Sequence, residues 1–539
     1  MKFRYCAHAL QLALFVVLNV LAQAENAVGV VYNDANANGI RDASEKGIAG
    51  VLVSNGVDIV ATDKTGNYAI TVTDETNVFV IKPKGWMTPL RPGTNVPSFY
   101  YIHKPKGTPA MKYAGVDPTG ALPASIDFPL RKQREPNRFR VLCFGDTQTR
   151  NVEEVQFLAH DVLEELQDTD AKFGITLGDN VFNDLSVFEP LIETMSSIKI
   201  PWRYVPGNHD HNHDAPTQAS TDDSMERFIG PAYYSFNYGA VHFVVLDDIR
   251  QQIGKEDYSG GLGEQQMTFV KNDLAHVDPK QLVVLLMHIP ITEIKDQRDL
   301  YALLKDFPHT FSLSAHTHVQ WHKFVGKESG WMQDTPHHHL NMGTACGSWW
   351  GGNFDEVGIP TTEMADGGPN NYAYIAFEGN TYEVEFKIPR RPADYQMNIW
   401  MPERIAAADT AKATVVANVF AGSSKSRVAM RLDDAKDWTP MTQYTDKDPY
   451  YLQMLARQDA FMAKLAELTG GKADDKDFQR KARQDFAASL RGMPKPDDTD
   501  HLWKANLPAG LASGAHTLTV ETTDMFGRTY RAKRVFVVN

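Results

Sequence analysis

Two runs, residues 241–246 and 282–287, are almost wholly apolar, and they constrain the fold more than any other feature of the chain. A strand without a polar face has to be covered on both sides, so these runs belong in a sheet with a layer above and a layer below. Strand-like and helix-like stretches alternate around them from residue 138 to about 377. Segments 140–144, 173–177 and 203–205 read as strands, and Val152, Val155, Leu158, Val162 and Leu166 recur at helical spacing. That alternation predicts an α/β core.

The 539 residues exceed what one hydrophobic core organises, so two to four domains are expected. Residues 25–130 carry short apolar runs separated by Gly, Asn and Asp, the pattern of a β domain. Residues 131–138 are basic and polar and read as a linker. The α/β region is taken as 138–380. Residues 385–539 read as a second β-rich domain, interrupted at 450–490 by Ala, Leu, Lys and Gln at helical spacing, which predicts a helical insertion.

Residues 1–24 read as a secretory signal peptide. Lys2 and Arg4 precede an apolar stretch at 9–21, and Ala22-Gln23-Ala24 follows as a small-residue cleavage site. Export to the periplasm or the extracellular space is the expectation. No later stretch is apolar enough to span a bilayer. Cys6 would leave with the signal, and Cys143, inside an apolar strand pattern, is expected as a buried free thiol. A net charge of −13 argues against a nucleic-acid-binding surface, which needs a basic face. Anion binding would have to come from local charge, such as metal ions.

Five short motifs occur in order, four of them directly after an expected strand. They are Gly145-Asp146-Thr147-Gln148, Gly178-Asp179-Asn180, Gly207-Asn208-His209-Asp210, Met287-His288 and Ala315-His316-Thr317-His318. Loops at the carboxyl ends of strands are where α/β sheets place their sites. A mixture of carboxylate, carboxamide and imidazole suits borderline divalent metals such as Mn, Fe or Zn. Each motif alone is an ordinary turn or loop. The ordered set is what carries weight.

In order and type these motifs resemble those of the calcineurin-like metallophosphoesterases, whose pattern is Asp-x-His, Gly-Asp, Gly-Asn-His-Asp/Glu, His and Gly-His-x-His. The resemblance spans roughly 138–377. It implies a four-layer α/β/β/α sandwich core, here flanked by N-terminal and C-terminal β-sandwich domains. It implies two divalent transition-metal ions about 3.5–4 Å apart. Asp146, Gln148 and His318 would hold the first, Asp179 would bridge, and Asn208, His288 and His316 would complete the second. His209 would face the substrate, with Asp210 as its orienting partner. The implied reaction is hydrolysis of a phosphomonoester or phosphodiester by a metal-bridging hydroxide. Gln148 stands where many members have His, which tilts the first site toward Mn or Fe over Zn. Ala315 replaces a common Gly, which is harmless if its φ is negative.

The flanks are similar to a bacterial three-part family with calcineurin-like N-terminal and C-terminal companions. The first match runs from Asp42-x-x-Glu45 to Gly66-x-Tyr68, and the last through His501-x-Trp503 and Gly514-x-His516. Residues 34–45 also fit a twelve-residue calcium loop, with Asp34, Asn36, Asn38, the Ile40 carbonyl, Asp42 and Glu45 as ligands and Gly39 at the sharp turn. Trp349 and Trp350, close after the last motif, could wall the pocket or pack between domains. Arg150 could contact phosphate oxygens or lie on the surface. His211, His213 and His337–His339 read as solvated loop histidines. The leading reading is an exported phosphoesterase. Two alternatives stay open: an inactive binding or adhesive envelope protein on the same fold, and a hydrolase of a non-phosphate bond.

Overall fold

A computed structural model describes residues 24–255, 257–485 and 492–539, and at its centre two sheets pack face to face. Residues 1–23 of the expected signal peptide, 1–24, lie outside the described residues. The first sheet has the order Trp202–Val205, Gly174–Leu177, Arg138–Phe144, Tyr372–Glu378, Thr381–Lys387. Its first three strands are parallel and its last two antiparallel. Thr381–Lys387 pairs with Tyr372–Glu378, so this sheet continues past residue 380. The second sheet has the order Tyr234–Tyr238, Val241–Val245, Leu282–Leu286, Thr310–Ser314, His337–Asn341, Trp321–Val325, with its four central strands parallel.

Period-two alternation assigns each residue to a layer. Phe243 meets Phe173 and Phe377 of the first sheet, at ring centroid distances of 5.4 and 5.5 Å. Its neighbour His242 turns the other way and bonds Asp273 at 2.8 Å, on the helix Gly263–Leu274. In the first sheet Val141 and Cys143 enter the inter-sheet core. Leu142 and Phe144 instead pack with the helices Val152–Leu158 and Phe188–Met195. The order is therefore helix, sheet, sheet, helix. Cys143 and Cys346 are both buried free thiols.

Each flank is a β-sandwich. The N-terminal one, Glu25–Asn33 through Phe128–Lys132, has two four-stranded sheets. The C-terminal one pairs a four-stranded with a five-stranded sheet. Helices Pro449–Thr469 and Lys476–Asp485 are inserted between its strands Thr442–Asp446 and Thr499–Asn506. The first of these helices begins with Pro449 behind an Asp448 cap and stops at Gly470, φ 73°. The end of the expected insertion, 486–490, lies outside the described residues.

A buried ion pair ties the N-terminal sandwich to the core. Lys104 Nζ lies 2.5 and 2.6 Å from the two carboxylate oxygens of Asp223, which opens the helix Asp223–Ile229. Removing one partner of such a pair strands the other charge, so Lys104→Ala should destabilise the protein by roughly 3–5 kcal/mol. Lys106→Ala, at an exposed pair with Asp74, should leave the urea midpoint unchanged. Equal midpoints for both variants would show that the pair contributes nothing to the junction.

Candidate metal centre

All five motifs follow a parallel strand, and both sheets present those strand ends to one region. Asp146, Asp179 and Asn208 come from the first sheet; His288, His316 and His318 come from the second. The close approach needs glycine twice. A Cβ on Gly178 would come within 2.4 Å of the His288 ring, and one on Gly207 within 2.0 Å of the Asp179 nitrogen. The backbone is strained at the chemistry-bearing residues themselves. Gln148, Asp179, His316 and His318 have φ of 36°, 45°, 68° and 53°, whereas Ala315 lies outside the left-handed region. Each such residue costs about 1–3 kcal/mol and persists only where its surroundings hold it.

The seven residues implied as ligands form one contact network. His318 Nε2 is 3.1 Å from Asp146 Oδ2, and the His316 amide donates to Asp146 Oδ1. His316 Nδ1 is 3.0 Å from His288 Nε2. His288 Nε2 is 3.2 Å from Asn208 Oδ1 and 3.3 Å from Asp179 Oδ2. The Gln148 amide reaches Asp179 Oδ2 at 3.0 Å. Ligating atoms of Asp179, His288 and His316 all lie within 4.8 Å of one another.

The hydrogen bonds outside the cluster fix which ring atoms face it. His288 Nδ1–H donates to the Leu177 carbonyl at 2.8 Å, and His318 Nδ1–H to the Gly347 carbonyl at 2.6 Å. The Nε2 lone pairs therefore point inward, as in metal sites whose histidines are oriented by carbonyls. His288 Nε2, Asn208 Oδ1 and Asp179 Oδ2 are then three acceptors facing one another. Asp146 Oδ2 is buried and accepts no hydrogen bond. What this arrangement lacks is positive charge. Without a cation the protein supplies it as a proton: burial pushes His288 down, but Asp179 and Asp146 overcome that and lift it to about 10. Burial likewise opposes, and His288 and His209 outweigh it, so Asp179 is held below the usual carboxylate range. Divalent cations fit the same donor set.

His209 sits at the edge, half-buried. Its amide donates to Asp179 Oδ1 at 2.9 Å, and its Nε2 is 3.9 Å from Asp179 Oδ2. Asp210 does not orient it. The Asp210 carboxylate turns inward and accepts from the backbone nitrogens of Gly207, Asn180 and Val181. Burial, then Asp179, raises Asp210 to about 7. The partner of His209 is Asn183, whose Oδ1 lies 2.6 Å from Nδ1. Phe182 stacks on the ring at 4.3 Å. Sequence reading missed both, since neither belongs to a motif.

Around this edge, Arg150 lies over Phe182 and donates to Glu154 and to the Trp349 carbonyl. Trp349 stacks on His318 at 4.2 Å. Trp350 is buried, its ring 6.1 Å from that of Phe157 and its indole N–H on the Thr147 carbonyl, and it lines a cavity together with Arg150, Glu154 and Trp349. The histidines expected as solvated are not. His211 is buried 3.6 Å from Asp247, and His337–His339 form an interior strand. A cavity of about 640 Å³ lined by Asn77, Lys104, Asp222 and Tyr233 lies elsewhere, at the junction with the N-terminal sandwich, and includes none of the five motifs. In the loop 34–45, Asp34, Asn36, Asn38, Asp42 and Glu45 do converge, linked through backbone and side-chain hydrogen bonds of 2.6–3.2 Å.

The calcineurin-like phosphoesterase family matches residues 139–320, the N terminal of calcineurin-like phosphoesterase matches 35–114, and the C terminal of calcineurin-like phosphoesterase matches 339–530. No curated protein matches the chain. Among solved structures, a dimetal phosphatase from Danio rerio is similar over 47% of this chain and 99% of its own, at 12% identity and TM-score 0.33. A purple acid phosphatase from yellow lupin (Lupinus luteus) seeds covers 64% and 69%, at 13% identity and TM-score 0.35. PhoD covers 67% and 85%, at 9% identity and TM-score 0.35.

If positive charge is what the cluster lacks, metal binding stabilises the native state by mass action, by about 4 kcal/mol at a thousandfold excess over Kd. A strong chelator should lower the thermal midpoint of the wild type, Mn²⁺ should restore it, and Asp179→Asn should lose most of that response. A wild-type midpoint indifferent to chelator and to added metal would count against a cation here.

Proposed function

This chain belongs with the calcineurin-like phosphoesterases, companion segments included, and from that premise we propose that it is an exported, two-metal hydrolase of a phosphomonoester or phosphodiester. The observation that carries the reading is the convergence of His288 Nε2, Asn208 Oδ1 and Asp179 Oδ2 as facing acceptors, beside a buried Asp146 oxygen without a hydrogen bond. Asp146, Gln148 and His318 would hold one ion, Asn208, His288 and His316 the other, with Asp179 between them. Gln148 offers a neutral oxygen where an imidazole is common, favouring Mn or Fe over Zn. When bound, such ions supply Lewis-acid charge and an activated water at neutral pH.

The side chains around the ions do the rest. Nδ1–H of His209 is committed to Asn183, so Nε2 is the atom left to exchange a proton with the leaving group. Phe182 holds the ring plane. Arg150, fixed by Glu154 and the Trp349 carbonyl, keeps a guanidinium beside that ring for phosphoryl oxygens. Trp349 forms a flat wall against His318. The signal-like residues 1–24 support export, and no helix among the described residues is long and apolar enough to cross a membrane. The loop 34–45 is proposed to bind calcium as a stiffener of the N-terminal sandwich.

On a chromogenic phosphoester panel with added Mn, Fe, Zn or Mg, Asp146→Ala should abolish turnover. His209→Ala should lower kcat by about 10²–10⁴ while keeping both metals. Elemental analysis should find close to two transition ions per chain. Full activity in both variants, with contaminants excluded, removes the hydrolytic assignment; a folded chain with neither metal nor turnover favours the binding-protein alternative. Separately, about millimolar calcium should raise the unfolding midpoint of the wild type and not of Asp34→Ala. An identical response in the two would dismiss the calcium loop.

A further inference from the structure

The buried histidines of the second sheet lead to the loop of His316 and His318. Strands Thr310–Ser314 and His337–Asn341 are parallel and in register, with Ser312 opposite His339 and Ser314 opposite Asn341. Alternation puts Thr310, Ser312 and Ser314 on one face with His337, His339 and Asn341. There they form a single chain of contacts. Thr310 Oγ1 meets His337 Nδ1 at 2.8 Å, and His337 Nε2 meets Ser312 Oγ at 2.6 Å. Ser312 Oγ meets His339 Nδ1 at 2.7 Å, and His339 Nε2 meets Ser314 Oγ at 3.0 Å. Ser314 Oγ meets Asn341 Oδ1 at 2.9 Å, and Asn341 Nδ2 meets Thr317 Oγ1 at 2.7 Å. Thr317 stands between His316 and His318.

The direction of every bond follows from one end. Asn341 Nδ2 also lies 2.7 Å from the Val319 carbonyl, which can only accept. The amide nitrogen therefore faces the loop and Oδ1 faces Ser314. Ser314 must donate its hydroxyl proton to Asn341, so its oxygen accepts from His339 Nε2–H. His339 Nδ1 is then an acceptor, fed by the Ser312 hydroxyl. Ser312 accepts from His337 Nε2–H, and Thr310 donates to His337 Nδ1. Burial holds both imidazoles neutral, His337 down to about 3 and His339 well below the ordinary range. All the donated protons point toward the loop. A carboxamide cannot hand a proton on, so the chain conducts nothing; it orients.

We propose that Asn341, aligned by this one-way chain, is a positioning residue for the metal centre: it clamps Thr317 Oγ1 and the Val319 carbonyl on either side of His318, and so sets where His316 and His318 present their nitrogens. The loop needs a clamp because both histidines sit at positive φ, a conformation a free loop would leave. The inference rests on the two-metal reading above.

The test is Mn²⁺ affinity by chelator competition on the full chain. Asn341→Leu should weaken binding 10–100-fold, the usual cost of losing an outer partner of metal ligands. His339→Phe should weaken it as well, and His339→Gln, which keeps one donor and one acceptor, should recover affinity near the wild type. His338→Phe, on the same strand but the opposite face, should leave affinity unchanged. Wild-type affinity in folded Asn341→Leu and His339→Phe overturns the proposal, as does an equal loss in His338→Phe, which would reflect a generally loosened strand. Where those two do not fold, Ser314→Ala decides, with unchanged affinity again overturning it. Failure of the wild type to bind Mn²⁺ would instead overturn the metal reading beneath.

Discussion

Buried acceptors in excess of buried donors are what the rest of this structure is arranged to tolerate. Asp146 and Asp179 lie out of solvent at the mouths of two sheets, among imidazole nitrogens whose lone pairs point at them. Left to itself, such a cluster would spread apart or take up water. It is held by strands that give it no room to relax. Their side chains interdigitate from both sheets, with Phe243 wedged against Phe173 and Phe377 behind the motifs. Close packing of that kind supports several strained backbone positions at once.

The flanking domains enter the same problem from outside. In the C-terminal sandwich, His501 is buried with Nδ1 on Asn418 and Nε2 3.2 Å from Asp366 Oδ2. That carboxylate accepts from the Gln320 amide at 2.7 Å, two residues beyond His318, and Gln320 in turn accepts from the Gly343 amide. The loop carrying His316 and His318 is thus gripped from the sheet by Asn341 and from the C-terminal domain through Asp366. On the other side, the Lys104–Asp223 pair docks the N-terminal sandwich against the helix that follows the Gly207–Asp210 motif. The C-terminal part thus shares hydrogen bonds with the loop of His316 and His318, while the N-terminal sandwich is tied to the core at the helix Asp223–Ile229, away from the motifs.

The core was legible in the sequence because its signals are local. Runs without a polar face, at 241–246 and 282–287, became central strands, and each motif fell on the loop after its strand. What sequence could not supply was the identity of partners across the sheet. His337–His339 looks like a solvated stretch until Ser312 and Ser314, some 25 residues earlier, satisfy the rings in register. Trp350 could not be told from Trp349, its neighbour, because only the backbone path decides which indole goes inside. The resemblance implies Asp210 as the partner of His209, whereas the tight turn at Gly207 and the neighbouring Asn180–Val181 loop claim its carboxylate for backbone N–H groups.

These misses share a cause that bears on how the site divides its work. Every residue that would touch metal lies in a motif, since ligand geometry tolerates few chemical types and little displacement. The residues proposed to shape the approach of a substrate, Asn183, Phe182, Arg150 and Trp349, lie outside the motifs and are placed by stacking and by hydrogen bonds to neighbouring side chains and carbonyl oxygens. A stacked ring can be replaced by another flat surface without displacing the motif side chains that would hold the ions. The reaction type is therefore written in short strings that can be read directly. The proposed substrate-facing groups lie instead in a second ring of contacts, where Phe182 joins Arg150 to His209 and Trp349 joins the neighbouring loop to His318, and there only the fold says which residues are neighbours.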